Sequence, residues 1–270
     1  MLVNKEEVVI TLAQKALLQK DREKRILEET NLYKIKYLVD DNVYVDGYLS
    51  VPVNIKERLP VIIWNRGGFK EKGRLEDLTA FITLGEIADW GYCVFASQYR
   101  EDEKPGISDV QDVLTLLQIV KDIPFADNQN IAMEGWSRGG MLTLLCLQYE
   151  YGIKTAVVVA GLTDLNDYCK NSSERKLILE YICNKDSGMS ISPVNIYKSI
   201  KKIPILFIHG TNDEMISYEQ SIKMFNLLKM QNPDVNYELE LIEGGSHFLK
   251  ENRDKVSDIR RKWYDKYLKI

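Results

Sequence analysis

The sequence predicts an α/β protein built on a mostly parallel sheet with helices on its faces. Short, nearly continuous apolar runs recur at residues 59–64, 92–96, 131–133, 156–160 and 205–208, as strands buried on both faces require. Between them lie segments with apolar residues at three- and four-residue spacing, at 78–90, 106–121, 139–149 and 218–230. Alternating strand and helix gives parallel neighbours, because each helix carries the chain back along the sheet.

From residue 4 to about 29, Val8, Val9, Leu12, Ala16, Leu17, Ile26 and Leu27 recur at helical spacing with charges on the other face. This predicts an N-terminal amphipathic helix within 1–30, ahead of a domain over 31–270. The apolar stripe needs a cover, either the domain that follows or a second copy of the chain in a homodimer. Residues 32–39 and 43–51 alternate apolar and polar around Asp40-Asp41-Asn42, which reads as an antiparallel hairpin at the sheet edge. A last strand is expected at 237–242 and a closing helix over 250–268. The connection from 161 to 203 is too long for a simple loop and carries its own helical stretch at 174–182. It is expected to form a small cap, about 162–202, over one end of the sheet.

The chain has 270 residues, 36 Lys+Arg against 40 Asp+Glu, and 45% hydrophobic residues. That length suits one large domain around one core. The basic residues are scattered among acidic ones, so no positive stripe is expected to hold a nucleic acid. No apolar run approaches the ~20 residues that a bilayer-spanning helix needs. The charged first thirty residues do not read as a secretory signal, so the expected location is cytoplasmic, with no membrane contact. Cys93, Cys146, Cys169 and Cys183 lie far apart, and no C-x-x-C pair suggests a metal. No G-x-x-x-x-G-K-[ST] or G-x-G-x-x-G motif suggests a nucleotide, so no cofactor is expected.

The chemistry gathers around Gly135-Trp136-Ser137-Arg138-Gly139, a G-x-S-x-G between a strand and an apolar helix. A tight turn there would lift the Ser137 hydroxyl above the sheet and aim the Arg138 amide at the same point. A serine needs a base, and the chain has two histidines. His247 follows the last strand in Gly244-Gly245-Ser246-His247-Phe248, whereas His209 ends an apolar strand and reads as structural. Asp213 follows the His209 strand, with Glu214 as its neighbouring competitor. The order Ser137, Asp213, His247 is that of an α/β-hydrolase triad, with loops at the C-terminal ends of strands carrying the chemistry. The turn Arg66-Gly67-Gly68-Phe69 can supply a second oxyanion donor through Gly67 or Gly68. Arg66 and Trp136 are the candidate substrate contacts. Activity is expected to rise with pH as a histidine base loses its proton.

Several separated motifs, in order, make the chain from about residue 43 to 268 resemble the catalytic domain of the prolyl oligopeptidase family of serine hydrolases. They are Asn65-Arg66-Gly67-Gly68, Ser97-Gln98-Tyr99-Arg100, Asp109-Val110-Gln111-Asp112, Gly135-Trp136-Ser137-Arg138-Gly139-Gly140, Ser192-Pro193, His209-Gly210-Thr211-Asn212-Asp213 and Gly245-Ser246-His247-Phe248. The resemblance implies an α/β-hydrolase fold, with the family's nucleophile at Ser137, acid at Asp213 and base at His247. Peptidases of the family usually carry a β-propeller that screens substrates and holds acidic residues for a peptide's amino terminus; only about forty residues precede the hydrolase pattern here. The family commonly has tyrosine or histidine where this chain has Arg66. The expected substrate is a small ester, thioester or short peptide cleaved through an acyl-enzyme. The alternatives are an aminopeptidase or acylpeptide-releasing peptidase, and a binding protein that keeps the fold without turnover.

Overall fold

The structure, a computed structural model, describes residues 1–18, 20–40, 42–69, 72–100, 107–149, 151–171 and 191–269. Its strands are β1 (Leu2–Glu7), β2 (Thr30–Asp40), β3 (Val43–Pro52), β4 (Leu59–Asn65), β5 (Cys93–Ser97), β6 (Ala126–Trp136), β7 (Ile153–Val159), β8 (Ile205–Gly210) and β9 (Tyr237–Ile242). They form one sheet in the order β1-β2-β3-β5-β4-β6-β7-β8-β9. The pairs β1/β2, β2/β3 and β3/β5 are antiparallel, and the pairs from β5/β4 to β8/β9 are parallel. The apolar runs predicted the parallel part, and the alternating pattern predicted the β2–β3 hairpin.

The helices are α1 (Leu12–Leu17), α2 (Asp21–Glu29), α3 (Asp77–Asp89), α4 (Ile107–Val120), α5 (Arg138–Cys146), α6 (Leu165–Asn171), α7 (Pro193–Ile196), α8 (Glu219–Gln231) and α9 (Arg253–Leu268). One face of the sheet packs against α4, α5 and α8, through residues such as Val113, Leu117, Leu142, Met224 and Leu228. The other packs against α2, α3 and α9, through Ile26, Leu84, Ile87, Val256 and Tyr264. This is the two-sided covering that makes the central strands apolar throughout.

The single N-terminal helix is corrected. Residues 2–7 instead form β1, which adds to the sheet edge with Glu6 opposite Lys34 and Glu7 opposite Tyr33. The remainder breaks into α1 and α2, each with its own start. Thr11 and Gln14 form a capping box at α1, and the Lys20 amide donates to Glu23 at α2. Pairing with the edge of β2 satisfies one side of the backbone of residues 2–7, and extended torsions at Leu18 and Lys20 interrupt the rest. Ile10, Leu18 and Ile26 are buried in the chain's own fold, while Val9, Leu12 and Leu17 are exposed. The first thirty residues are therefore continuous with the sheet.

The described ends of the 162–202 connection are α6 and α7. The predicted 174–182 helix lies outside the described residues. Both ends are fastened at one place: Ser192 Oγ accepts from the Leu165 amide at 3.0 Å, and the Gln220 side chain accepts from the Thr163 and Asp164 amides, each at 3.0 Å. No helix among the described residues is long and apolar enough to cross a membrane.

Candidate active site

Ser137 stands between β6 and α5 at φ 57° and ψ −123°, a left-handed-side backbone conformation that a serine rarely adopts. The flanking glycines make the turn possible by close approach. A Cβ on Gly135 would collide with the Gly139 carbonyl, and one on Gly139 would collide with the Asn65 carbonyl. Arg138 is the first residue of α5, so its amide belongs to the group that a helix start leaves without intrahelical acceptors. Gly67 lies directly against the serine; a Cβ there would sit 3.0 Å from Ser137 Cβ and 3.6 Å from its Oγ.

His247, in the loop after β9, directs Nδ1 at Asp213 Oδ2 at 2.7 Å. Asp213, after β8, has a fully buried side chain whose other oxygen accepts from the Met215 and Ile216 amides at 2.8 and 2.9 Å. Glu214, the neighbouring competitor, is exposed. Burial opposes ionisation of Asp213, but hydrogen bonds from His209 and His247 outweigh it and hold the carboxyl well below the usual carboxylate range. With Nδ1 bonded to a carboxylate, the neutral His247 ring carries its proton there and keeps the Nε2 lone pair available.

His209 is buried, as a structural residue would be, but it also shares the acid. Its Nε2 lies 3.0 Å from Asp213 Oδ2 and 3.0 Å from the Ile216 carbonyl, and its Nδ1 lies 2.7 Å from Ser221 Oγ. A carbonyl only accepts, so Nε2 carries the proton and Nδ1 receives the Ser221 hydroxyl. The motif spacing put His209 four residues before Asp213 but gave no reason to orient the ring.

Ser137, His247, Gly67, Gly68, Arg66 and Trp136 all line one cavity of about 1000 Å³. Tyr168 of α6, in the 162–202 connection, reaches the same cavity, and Leu249, at φ 50°, continues the wall after His247. Arg66 lines the cavity and also braces the turn. It is only 2% exposed, donates from Nε and Nη2 to the Gln98 carbonyl at 3.1 and 2.6 Å, and donates from Nη1 to the Gly67 carbonyl at 3.2 Å. Its guanidinium also stacks over Tyr99, whose hydroxyl donates to the Arg66 carbonyl at 3.2 Å. Arg138 does similar work, donating to the Gly68 carbonyl at 2.9 Å and pairing with Asp109. Both turn carbonyls are thus held by arginines.

Beneath Trp136 lies a polar cluster that sequence reasoning missed. The fully buried Glu134 accepts from the indole nitrogens of Trp64 and Trp136 at 3.0 and 2.7 Å. It also accepts from Nε and Nη2 of Arg260 at 2.9 and 2.7 Å, and from the Tyr264 hydroxyl. Its signal was a carboxylate at the end of an apolar strand, with an arginine on the apolar stripe of α9 to match it.

A profile of the prolyl oligopeptidase family matches residues 93–270. The chain belongs to that family. Dipeptidyl aminopeptidase B of Saccharomyces cerevisiae is 26% identical over 171 residues, covering 60% of this chain and 21% of the yeast protein. Dipeptidyl aminopeptidase A of the same yeast is 22% identical over 260 residues, covering 87% of this chain and 28% of that protein. The chain thus spans well under a third of these relatives. The acylaminoacyl peptidase of Pyrococcus horikoshii superposes with a TM-score of 0.77 at 19% identity, covering 92% of this chain and 44% of that one. Its likeness extends to the α/β-hydrolase fold.

Proposed function

We propose that this chain cleaves a small ester, thioester or short peptide through an acyl-enzyme on Ser137. The observation that carries the reading is the 2.7 Å link from Asp213 to His247 on the cavity that also holds Ser137. Ser137 Oγ attacks the substrate carbonyl carbon while His247 Nε2 takes its proton. The Arg138 amide and an amide of Gly67 or Gly68 hold the oxyanion that develops. Collapse of the tetrahedral species breaks the bond to the leaving oxygen, sulfur or nitrogen, which receives the proton from His247. Water then enters by the same relay, and the acid product departs as Ser137 regains its proton. Asp213 stays ionised throughout and orients the ring.

The names of the yeast relatives favour a second reading, an aminopeptidase or acylpeptide-releasing peptidase. Both are tested with p-nitrophenyl esters of increasing acyl length beside aminoacyl and prolyl anilides, each repeated with Ser137→Ala. Ester turnover lost in the variant, with anilides untouched, supports an esterase-type enzyme. Anilide turnover favours the peptidase. A fluorophosphonate probe should label the wild-type protein and fail with Ser137→Ala; no labelling of well-folded protein would leave a binding protein that has retired the reaction.

A further inference from the structure

The side chains around the cavity are strongly one-sided in charge. Among the described residues that line it, six are cationic (Arg66, Lys72, Arg74, Lys250, Arg253 and Arg260), and the only carboxylate is Glu86. That carboxylate is already committed. It accepts from Arg22 at 3.0 Å, from Ser257 Oγ at 3.0 Å and from Arg260 Nη1 at 3.3 Å. Arg260 is in turn consumed by Glu134. Arg66, as described above, is spent on carbonyls.

Arg253 is different. Its side chain is 32% exposed, and its nearest anion is the thrice-used Glu86, 3.8 Å from Nε. Burial lowers its affinity for its own proton more than Glu86 raises it, so a further anion brought to it would favour its charged form. Lys250, one turn earlier on the same wall, sits over the Phe248 ring at 5.4 Å. The adjacent Glu251 does not line the cavity, and its carboxylate accepts from the Ser246 amide and hydroxyl. The separate acidic cavity of about 230 Å³, with Asp167, Asp213 and Glu214, lies beyond Tyr168 and Met215, which line both. The carboxylates of that smaller cavity do not line the larger one.

We infer that this cavity selects substrates bearing a carboxylate away from the scissile bond, received by Arg253 with Lys250 beside it. The inference rests on the hydrolase reading above and names its substrate class. A guanidinium in a walled cavity offers a planar fork to a carboxylate, and the surrounding cations raise the local concentration of anions. A free peptide amino terminus, being a cation, is repelled from the same wall.

The test compares charged substrates with neutral isosteres on each side of the bond. On the acyl side, mono-p-nitrophenyl glutarate is set against its methyl-capped diester. On the leaving side, the butyryl ester of 4-hydroxy-3-nitrobenzoate is set against the corresponding amide. At least one pair should show a preference in kcat/KM for the anion of about 10- to 100-fold, the range for one charge-assisted contact. Arg253→Glu should erase or invert that ratio, Arg253→Lys should retain part of it, and added salt should weaken it. Lys250→Glu, at an exposed position, gives a second reading of the ratio if the Arg253 variant does not fold. Turnover without preference in either pair overturns the inference and leaves the hydrolase standing. Absence of both turnover and fluorophosphonate labelling removes the hydrolase reading instead. Calorimetric titration with glutarate against glutaramide then decides the site alone: binding of the dianion that Arg253→Glu abolishes keeps it, and no binding sinks it.

Discussion

Two buried carboxylates flank Ser137, and their partners give them opposite tasks. Glu134 precedes Ser137 by three residues on β6 and is enclosed by two indoles, a guanidinium and a phenol, none of which offers a second nitrogen that could take up a proton. Asp213 follows β8 and also has a fully buried side chain, but one of its four donors is an imidazole whose second nitrogen belongs to the cavity wall. A buried charge must be paired wherever it sits. What separates a foundation from a relay is whether one of the pairing groups has a second, unspent function.

Asp213→Asn therefore breaks the relay and leaves the foundation. The asparagine can hold the wrong tautomer of His247, and kcat should fall by about 10⁴-fold, as in triads generally. Thermal unfolding should move only a few degrees, because the amide oxygen can still accept from the Met215 and Ile216 amides. A variant that kept more than a tenth of wild-type kcat would remove Asp213 from the reaction.

Glu134→Gln should do the reverse. It strands Arg260 in the interior with Glu86 as its remaining anion, a loss of about 3–5 kcal/mol by analogy with other broken buried pairs. The midpoint of thermal unfolding should drop by on the order of 10 °C. Turnover per folded molecule, measured well below that midpoint, should stay within about tenfold, because the Trp136 backbone is still fixed by its β7 pairing. Equal loss of kcat in the two variants would erase the distinction between the carboxylates.

The sheet was legible, and the candidate triad could be proposed, because each left a local signature. Apolar runs mark strands covered twice, and the glycines at 135 and 139 mark a turn that no larger residue fits. Asp213 and His247 could be placed by chain order, since a parallel sheet brings the ends of its strands to one edge. The clustering of cations around the cavity was not legible, since Arg74 and Arg253 lie 179 positions apart and meet only through packing. Residues 2–7 were misread because helical and strand patterns compete in a short charged segment, and the deciding partner, β2, lies some thirty residues away. The carbonyls that hold Arg66 were not legible either, because a sequence shows a charge but not the acceptors around it.

His209 sharpens the comparison, since it resembles the partners of Glu134 in burial and those of Asp213 in position. It acts as a positioning residue for the acid. His209→Leu removes one donor to Asp213 and strands Ser221, whereas His209→Gln can restore the Nε2 contact. The leucine variant should lose about tenfold in kcat, with KM little changed, and glutamine should recover part of it. Identical kcat in both variants would reduce His209 to packing.

The smallest expected effect is in acid, and its sign follows from the direction of the Asp213 shift. A carboxyl that ionises more readily folded than unfolded contributes stability that is fully present above the ordinary carboxylate range and is lost as pH falls through the depressed folded value. The stability gap between wild type and Asp213→Asn should therefore be constant from neutral pH down to about 5 and narrow between roughly pH 5 and 2, where the unfolded aspartate takes up its proton first. Denaturant titrations of the two proteins across that range measure the gap directly. A gap that widened toward acid would mean that burial, not the two histidines, controls Asp213, and the carboxylate would then belong with Glu134 as part of the foundation.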